Sequence, residues 1–522
     1  MMLQPRRIAG LVRRWRGWAC SVLRAVGPSR RRLDPIARAA LRAAAGIAVL
    51  LAAGFMPVAQ AADGEAPRPS IVFILADDLG YGDVGFMGQR RIRTPHLDRL
   101  AREGMVFTQH YAGAPMCTPS RCSLMTGMHN GHNTLTDNVA SHVTLRPQDR
   151  TVAEILRDAG YATHFIGKWG LGGAEASEDF GGTDALIPEA VHGLPTRKGF
   201  ETSYAFLDQL TAHGYFPQTM WRGETREMIA GNHGLPLAER TVYIHDRFTE
   251  EALDILREAD GSRPIYLQLS YTIPHRETKF PRSPLPADEP DPRAYRPYQA
   301  EDFAGMDPAP LPVDVAYASM ITLMDDDIGR IIEAVDANAA LAPNTLIIFT
   351  SDNGPQFTDG HTAEMFDSSG GLRGKKFFLY EGGIRVPFAA RWRGTIAPGG
   401  RSDHVGHFAD FLPTAADLAG AAIPEDIDGL SYAPTITGKG EQAEHDYLIW
   451  TQPSATDRPT HAIRAAEDAD GRVWKLLRLP DGRVELYDLA ADPVESVDRA
   501  AEFPEVVARL SAILDAEDTG PR

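Results

Sequence analysis

Apolar residues in this chain come in short unbroken runs separated by longer amphipathic stretches. The runs at 70–76 (Ser-Ile-Val-Phe-Ile-Leu-Ala), 162–167, 265–271 and 346–350 are too short for buried helices and carry β-branched residues. Runs of this kind read as strands covered on both faces, the pattern of a parallel sheet. Between them lie amphipathic segments read as helices, at 94–104, 151–159, 248–259 and 315–335. Gly104 and Gly160 supply stop signals for the first two. Residues 105–107 read as a further strand. Strands alternating with helices predict an α/β fold with a largely parallel sheet. Residues 172–240 have little period and are expected to form an irregular, functional stretch, and 281–312 a proline- and acid-rich surface excursion. The run Asp325-Asp326-Asp327 reads as a solvated helix face. Beyond Ala419 the texture changes: 472–478 and 484–488 alternate like antiparallel strands, and 503–517 reads as a closing helix. The domain expectation is a main domain over 62–418 and a smaller C-terminal α+β subdomain over 419–522.

Charge divides the chain. The whole carries −17, yet residues 1–61 hold eleven arginines and one acid, Asp34. Removing that +10 from −17 leaves the remainder at −27. A body that acidic repels nucleic acid and anionic membrane, so an anionic substrate needs a local cationic pocket. The basic start precedes an apolar run, Ala43 to Ala53, and then Val58-Ala59-Gln60-Ala61-Ala62. That order is a secretory signal peptide, with cleavage expected after Ala61 and a periplasmic or secreted product free of the membrane. The run is short and alanine-rich for a membrane span, and an uncleaved anchor is the alternative. Cys20 would leave with the signal, so only Cys117 and Cys122 remain.

Chemistry concentrates at the strand ends. Asp77-Asp78 follows the first buried run, Lys168 the second, Pro274-His275 the third and Asp352-Asn353 the fourth. Taken singly, each is an ordinary solvated cap. In parallel sheets, however, ligands bind outside the carboxyl ends of the strands, and here cation ligands and anion binders gather at that end. Paired carboxylates suit Ca²⁺ or Mg²⁺. The stretch Cys117-Thr118-Pro119-Ser120-Arg121 opens a short helix, with Pro119 in its first turn. Free N–H groups at such a start favour an anion, and Arg121 one turn on could fork onto it. An isolated cysteine there would read as a buried cap residue. Gly370-Gly371-Leu372-Arg373-Gly374-Lys375-Lys376 permits close backbone approach beside a lysine, or is a plain turn. The segment 207–217, with Trp221 beyond, offers aromatics and amides that line a sugar or aryl subsite or pack the loop onto the core.

The string C-T-P-S-R-x-x-L-x-T-G from Cys117 to Gly127 resembles the signature of the type I sulfatases, in the alkaline phosphatase superfamily. Asp77-Asp78, Gly167-Lys168-Trp169, Pro274-His275, Ser351-Asp352-Asn353-Gly354 and Leu372-Arg373-Gly374 running to Tyr380-Glu381-Gly382-Gly383 resemble further family blocks, in the family's order. The resemblance implies an α/β fold with a large mixed, mostly parallel sheet sandwiched by helices, and a C-terminal antiparallel sheet. It implies oxidation of Cys117 to formylglycine by a formylglycine-generating enzyme. One Ca²⁺ would be held by Asp77, Asp78, Asp352 and Asn353, with an oxygen of the modified Cys117. Arg121, Lys168, His275 and Lys376 would hold the sulfate. Lys376 is chosen over Lys375 because the family's lysine precedes the tyrosine of Tyr-Glu-Gly-Gly by four. Where many sulfatases have Gly-Lys-Trp-His, this chain has Gly170, and His213 is expected to supply the missing imidazole.

The implied reaction is hydrolysis of a sulfate ester, of a carbohydrate or an aryl alcohol, by a calcium-activated formylglycine hydrate. One hydroxyl attacks sulfur with Asp352 accepting its proton, and His275 or Lys376 protonates the leaving oxygen. The rival readings are a phosphonate monoester or phosphodiester hydrolase on the same scaffold, and a catalytically inactive glycan-binding relative, which only Gly170 favours.

Overall fold

A computed structural model describes residues 68–522 except 139–143, 176–181, 184, 276–296, 299, 358–359, 454, 456 and 518. The expected signal segment and most of the 281–312 excursion lie outside the described residues.

Ten strands form the main sheet: β1 (Ser70–Asp77), β2 (Met105–Tyr111), β3 (Ala162–Lys168), β4 (Thr202–Phe206), β5 (Thr219–Arg222), β6 (Thr225–Met228), β7 (Ile265–Pro274), β8 (Thr345–Ser351), β9 (Phe388–Trp392) and β10 (Gly400–His407). Their order across the sheet is β10-β2-β9-β8-β1-β7-β3-β4-β5-β6. The central five, β8-β1-β7-β3-β4, are mutually parallel. β9 runs antiparallel to both its neighbours, and β5 and β6 close the far edge as an antiparallel hairpin. The sheet is therefore mixed and mostly parallel, as expected.

The unbroken apolar run of β1 has a direct cause. Val72, Ile74 and Ala76 face one core, with α4 (Ile244–Glu258) and α5 (Pro312–Ala337). Ile71, Phe73 and Leu75 face the other, with α3 (Val152–Asp158). Both sides of the sheet are covered, so neither parity of the strand can be polar. Each such side chain contributes about 1.5–3 kcal/mol by burial. Thr151 caps α3 in a capping box with Glu154, which fixes where that helix starts.

Two expectations change. The stretch 172–240 is not wholly irregular: β4, β5 and β6 lie within it. They are four or five residues long, too short to display a period, and Arg222-Gly223-Glu224-Thr225 turns the hairpin with Gly223 at φ +62°. The aspartate run on α5 is not a solvated face. Asp326 is part-exposed, but Asp325 and Asp327 are buried. Asp325 accepts the N–H groups of His96 and Leu97 at 3.0 and 2.7 Å, capping α1 (Pro95–Glu103) from another helix. Asp327 pairs with His245 at 3.1 Å and Arg330 at 2.8 Å.

The C-terminal sheet is antiparallel throughout: β11 (Tyr447–Thr451), β12 (His461–Glu467), β13 (Val473–Arg478) and β14 (Val484–Asp488). One face packs Ile449, Ile463, Trp474, Leu476 and Leu486 against Leu510 and Leu514 of the closing helix, Pro504–Glu517. The other packs Leu448, Trp450, Leu477 and Tyr487 against Tyr111, Leu379 and Ile384 of the main body. A buried ion cluster joins the same two surfaces. Lys475 lies 2.9 Å from Glu381 and 2.9 Å from Glu495.

Candidate active site

Four adjacent parallel strands deliver their last residues to one place. β8 leads into Asp352-Asn353, β1 ends at Asp77 with Asp78 next, β7 ends at Pro274 with His275 next, and β3 ends at Lys168. Register holds them level, since Ala76 lies opposite Ser351 and Asp77 opposite Pro274. Above β1 sits α2 (Cys117–Thr126), capped by Met116, so Cys117 is its first residue and Pro119 lies in its first turn. All ten residues of this helix are buried.

Cys117 Sγ is 3.4 Å from Asp77 Oδ1 and 3.7 Å from Asp78 Oδ1. Donor atoms of Asp77, Asp78, Cys117 and Asp352 lie within 4.8 Å of one another, and all four residues are buried. Every carboxylate has a cation. Lys168 Nζ is 2.7 Å from Asp77 Oδ2. Lys376 Nζ is 2.6 Å from Asp78 Oδ2, with His275 Nε2 at 3.3 Å from the same oxygen. Arg121 donates from Nε and Nη2 to Asp352 Oδ2 at 3.0 and 2.8 Å, and from Nη1 to the Lys168 carbonyl at 2.8 Å. Asn353 donates to Asp78 Oδ1 at 2.8 Å. Lys375 points away, to Glu364 at 3.3 Å. Thus the lysine chosen from its spacing to Tyr380 is the one that reaches the cluster.

Burial and charge act against each other here. Burial alone would lower the pKa of Lys376, but the charges of Asp78, Cys117 and Asp77 outweigh it, and the ammonium is held well above its usual range. Burial pushes the Cys117 thiol far up, despite Lys168 and Lys376. The unmodified thiol is therefore a poor nucleophile. Asp352 is raised by burial and by Asp77, with Arg121 opposing.

The sequence did not point to the layer beneath. Asp78 adopts φ +64°, a strained conformation for a non-glycine residue. Hydrogen bonds hold the turn in place: Leu79 N–H to Ser351 Oγ at 2.9 Å, and Gly80 N–H to Asp83 Oδ2 at 2.8 Å. Tyr317 Oη donates to the same Asp83 oxygen at 2.6 Å. Burial lifts the Asp83 carboxyl to about 6, against hydrogen bonds from Ser368, Tyr317 and Gly80. A Cβ at Gly80 would sit 2.0 Å from the Ser368 carbonyl oxygen, so the turn admits only glycine there. Tyr317 lies on α5, 234 residues from Asp83, and no local signal marks it.

His213 stacks on His275, with ring centres 3.9 Å apart and planes 14° apart. Gly170 has φ +69°, and a Cβ there would meet the Gln209 amide at 3.2 Å, Arg121 Cδ at 3.6 Å and Lys168 Cε at 3.7 Å. The side chain missing at 170 would therefore point among the cationic groups, beside His213 and Gln209.

Comparison with known proteins agrees with this geometry. A family model described as Sulfatase matches residues 69–421, and one described as N-sulphoglucosamine sulphohydrolase, C-terminal, matches 371–519. The chain is 31% identical to steryl-sulfatase of Mus musculus, over 91% of this chain and 85% of that protein. It is 29% identical to N-acetylgalactosamine-6-O-sulfatase of Bacteroides thetaiotaomicron, over 87% and 93%. A crystal structure of Ps i-CgsB in complex with k-i-k-neocarrahexaose superposes with a TM-score of 0.68 at 25% identity, covering 87% of this chain and 93% of that one. The resemblance first visible around Cys117 thus extends over nearly the whole folded body: the chain belongs to the sulfatase family and is a sulfuric ester hydrolase.

Proposed function

We propose that this chain is an exported sulfatase acting on sulfate esters of carbohydrates, matured by conversion of Cys117 to formylglycine and carrying one Ca²⁺. The observation that carries the reading is the position of Cys117 Sγ, on the Asp77–Asp78 pair and ringed by Lys168, Lys376 and Arg121. The named activity of the Bacteroides relative and the neocarrahexaose complex of Ps i-CgsB support a carbohydrate. The steryl-sulfatase likeness favours a second reading, an aryl or steryl sulfate.

The donor set suits a hard divalent cation. Asp77, Asp78 and Asp352 offer carboxylate oxygens, and the buried Asn353 Oδ1 has no hydrogen-bond partner among the described residues. Three carboxylates already face three fixed cations. A divalent ion would leave the site about two charges positive, which suits a sulfate ester. When bound, Ca²⁺ supplies Lewis acidity that favours an ionised hydroxyl oxygen. Formylglycine at position 117, as its hydrate, would supply two hydroxyls on one carbon, the chemistry of a nucleophile that can also be regenerated.

The chain's own groups do the rest. Arg121 and Lys168 hold sulfate oxygens and offset their charge as the S–O bond breaks. Asp352 accepts the proton of the attacking hydroxyl. His275 Nε2 or Lys376 Nζ delivers a proton to the departing ester oxygen. His213, stacked on His275, supplies the imidazole that Gly170 lacks. Because Cys117 is fully buried, the formylglycine-generating enzyme must act before the chain folds.

Export rests on the basic and apolar leader, with cleavage after Ala61 giving Ala62 as the mature N-terminus; an intact Met1 on the exported protein would contradict it. No described helix is long and apolar enough to cross a membrane. The test of substrate class is kcat/KM on sulfated oligosaccharides, a steryl sulfate and an aryl sulfate. Preference for the oligosaccharides supports the reading, and preference for the aryl or steryl ester replaces it with the second.

A further inference from the structure

Gln209 has no assigned role, yet it lies where three features of the site meet. Its amide fills the space over Gly170, and its residue starts the turn that carries His213. Asp208 shapes that turn: its Oδ1 accepts the N–H groups of Leu210 and Thr211, both at 2.8 Å, and its Oδ2 accepts from Thr211 Oγ1. Gln209 and His213 are thereby brought to 3.4 Å at their side-chain ends.

Proton accounting then orients the amide. Thr118 Oγ1 is 2.9 Å from the Gly170 carbonyl oxygen and 3.3 Å from Gln209 Oε1, with Gln209 Nε2 turned to His213 Nε2 at 3.4 Å, so the hydroxyl faces two acceptors. A hydroxyl has one hydrogen, and a carbonyl can only accept. The shorter contact to Gly170 O takes that hydrogen, so Thr118 Oγ1 must accept from Gln209. Which end of a glutamine amide is oxygen follows from its partners. Exchanging the two ends of the amide, so that its nitrogen faces Thr118 and its oxygen faces His213, satisfies both contacts, with the hydrogen of the second on His213 Nε2. This chain runs Gly170 O, Thr118 hydroxyl, Gln209 amide, His213 imidazole. It ends on the His275 ring, whose Nε2 is 3.3 Å from Asp78 Oδ2.

We infer that Gln209, oriented by Thr118, is a positioning residue: its amide oxygen fixes His213 with hydrogen on Nε2 and face to face with His275. The inference rests on the sulfatase reading for its kinetic consequence, but not for the hydrogen bond itself. Gln209 itself does not need to touch the substrate.

Two measurements test this on mature, formylglycine-containing protein, with conversion of Cys117 verified by mass spectrometry in every variant. The first is ¹⁵N-histidine NMR of the wild type and Gln209→Met, with His213→Ala to assign the signal. His213 Nε2 is expected to be protonated in the wild type and to lose that preference in Gln209→Met. The second is sulfate release. Gln209→Met and Thr118→Val are expected to lower kcat/KM about ten- to a hundred-fold, as loss of a group orienting a catalytic histidine does. Thr118→Ser, which keeps the hydroxyl, is expected to stay near wild type. Wild-type kinetics in Gln209→Met, equal loss in Thr118→Ser and Thr118→Val, or an unprotonated Nε2 in the wild type would each overturn the inference. A wild type that converts Cys117 but releases no sulfate would instead sink the sulfatase reading, and the NMR result would still decide the hydrogen bond.

Discussion

Lys475→Met tests whether the C-terminal sheet supports the catalytic body through charge. Lys475, Glu381 and Glu495 are all fully buried, and the ammonium is 2.9 Å from each carboxylate. Burial and the Glu381 charge hold the Glu495 carboxyl above its usual range, with Lys475 opposing. Removing the ammonium leaves two buried carboxyl groups facing Arg385, at 3.4 Å from Glu381, and the more distant Arg464. Breaking a buried pair in this way costs about 3–5 kcal/mol. For a body of about 450 residues, an unfolding entropy near 2.1 cal/mol/K per residue makes each kcal/mol worth about 1 °C. The melting temperature of the holoenzyme is thus expected to fall by about 3–5 °C. Activity should fall further than this. Glu381 N–H donates to Glu495 at 2.7 Å, and Gly382 N–H to Arg373 O at 2.7 Å, so the cluster anchors the segment that carries Lys376. Differential scanning calorimetry and kcat/KM at 25 °C are the assays. The triple variant Lys475→Met, Glu381→Gln, Glu495→Gln should recover part of the melting loss, since both buried carboxylates are then neutral and Arg385 keeps its hydrogen bonds to the Thr108 carbonyl oxygen. A single variant melting within about 1 °C of wild type, or a triple variant melting below the single, would refute the reasoning.

Other outcomes follow from the same structure. Lys376→Met should abolish turnover, whereas Lys375→Met, on the paired surface lysine, should change kcat/KM less than about twofold and stability by less than about 0.5 kcal/mol. Chelation of Ca²⁺ should lower the melting temperature, and calcium at a hundred times its Kd should restore about 2.7 kcal/mol, read by calorimetry. Acid should destabilise the fold through its buried histidines. Burial pushes His110 down to about 3 and His407 to about 4, with Asp410 opposing in both. Between the ordinary value of 6.5 and those limits the unfolded chain binds more protons, so stability is full above 6.5 and is lost as pH falls. Each group contributes about 1.4 kcal/mol per pH unit in that window. His110→Phe, which keeps packing on Phe388 at 4.0 Å, should flatten the urea-midpoint profile between pH 6.5 and 4.

The parallel centre of the sheet was legible in the sequence because two-sided burial leaves a strand no polar parity, as in Ile71 to Ala76. Its strand-end residues were legible too: once four buried runs were placed side by side, Asp77, Asp78, Lys168, His275, Asp352 and Asn353 had to share one end. What escaped depends on contacts distant in sequence. Asp325 looked solvated because its partners, the first N–H groups of another helix, lie 228 residues away or more. The strands β4 to β6 were hidden by their shortness. Asp83 and Tyr317 carry no motif, and only the strained turn at Asp78 reveals why they are needed. The role inferred for Gln209 required the distances around Thr118, which no spacing rule supplies.

The central claim is that Cys117, as formylglycine, serves the hydrolysis of a sulfate ester in this cluster. The most direct measurement is ion chromatography of the anion released by calcium-loaded protein co-expressed with a formylglycine-generating enzyme. The protein is offered a sulfated oligosaccharide and a phosphodiester, with Cys117→Ala as control. Sulfate released by the wild type and lost in the control is the expected result. Preferential cleavage of the phosphodiester to its phosphate monoester, or sulfate release that survives in Cys117→Ala, would contradict the account.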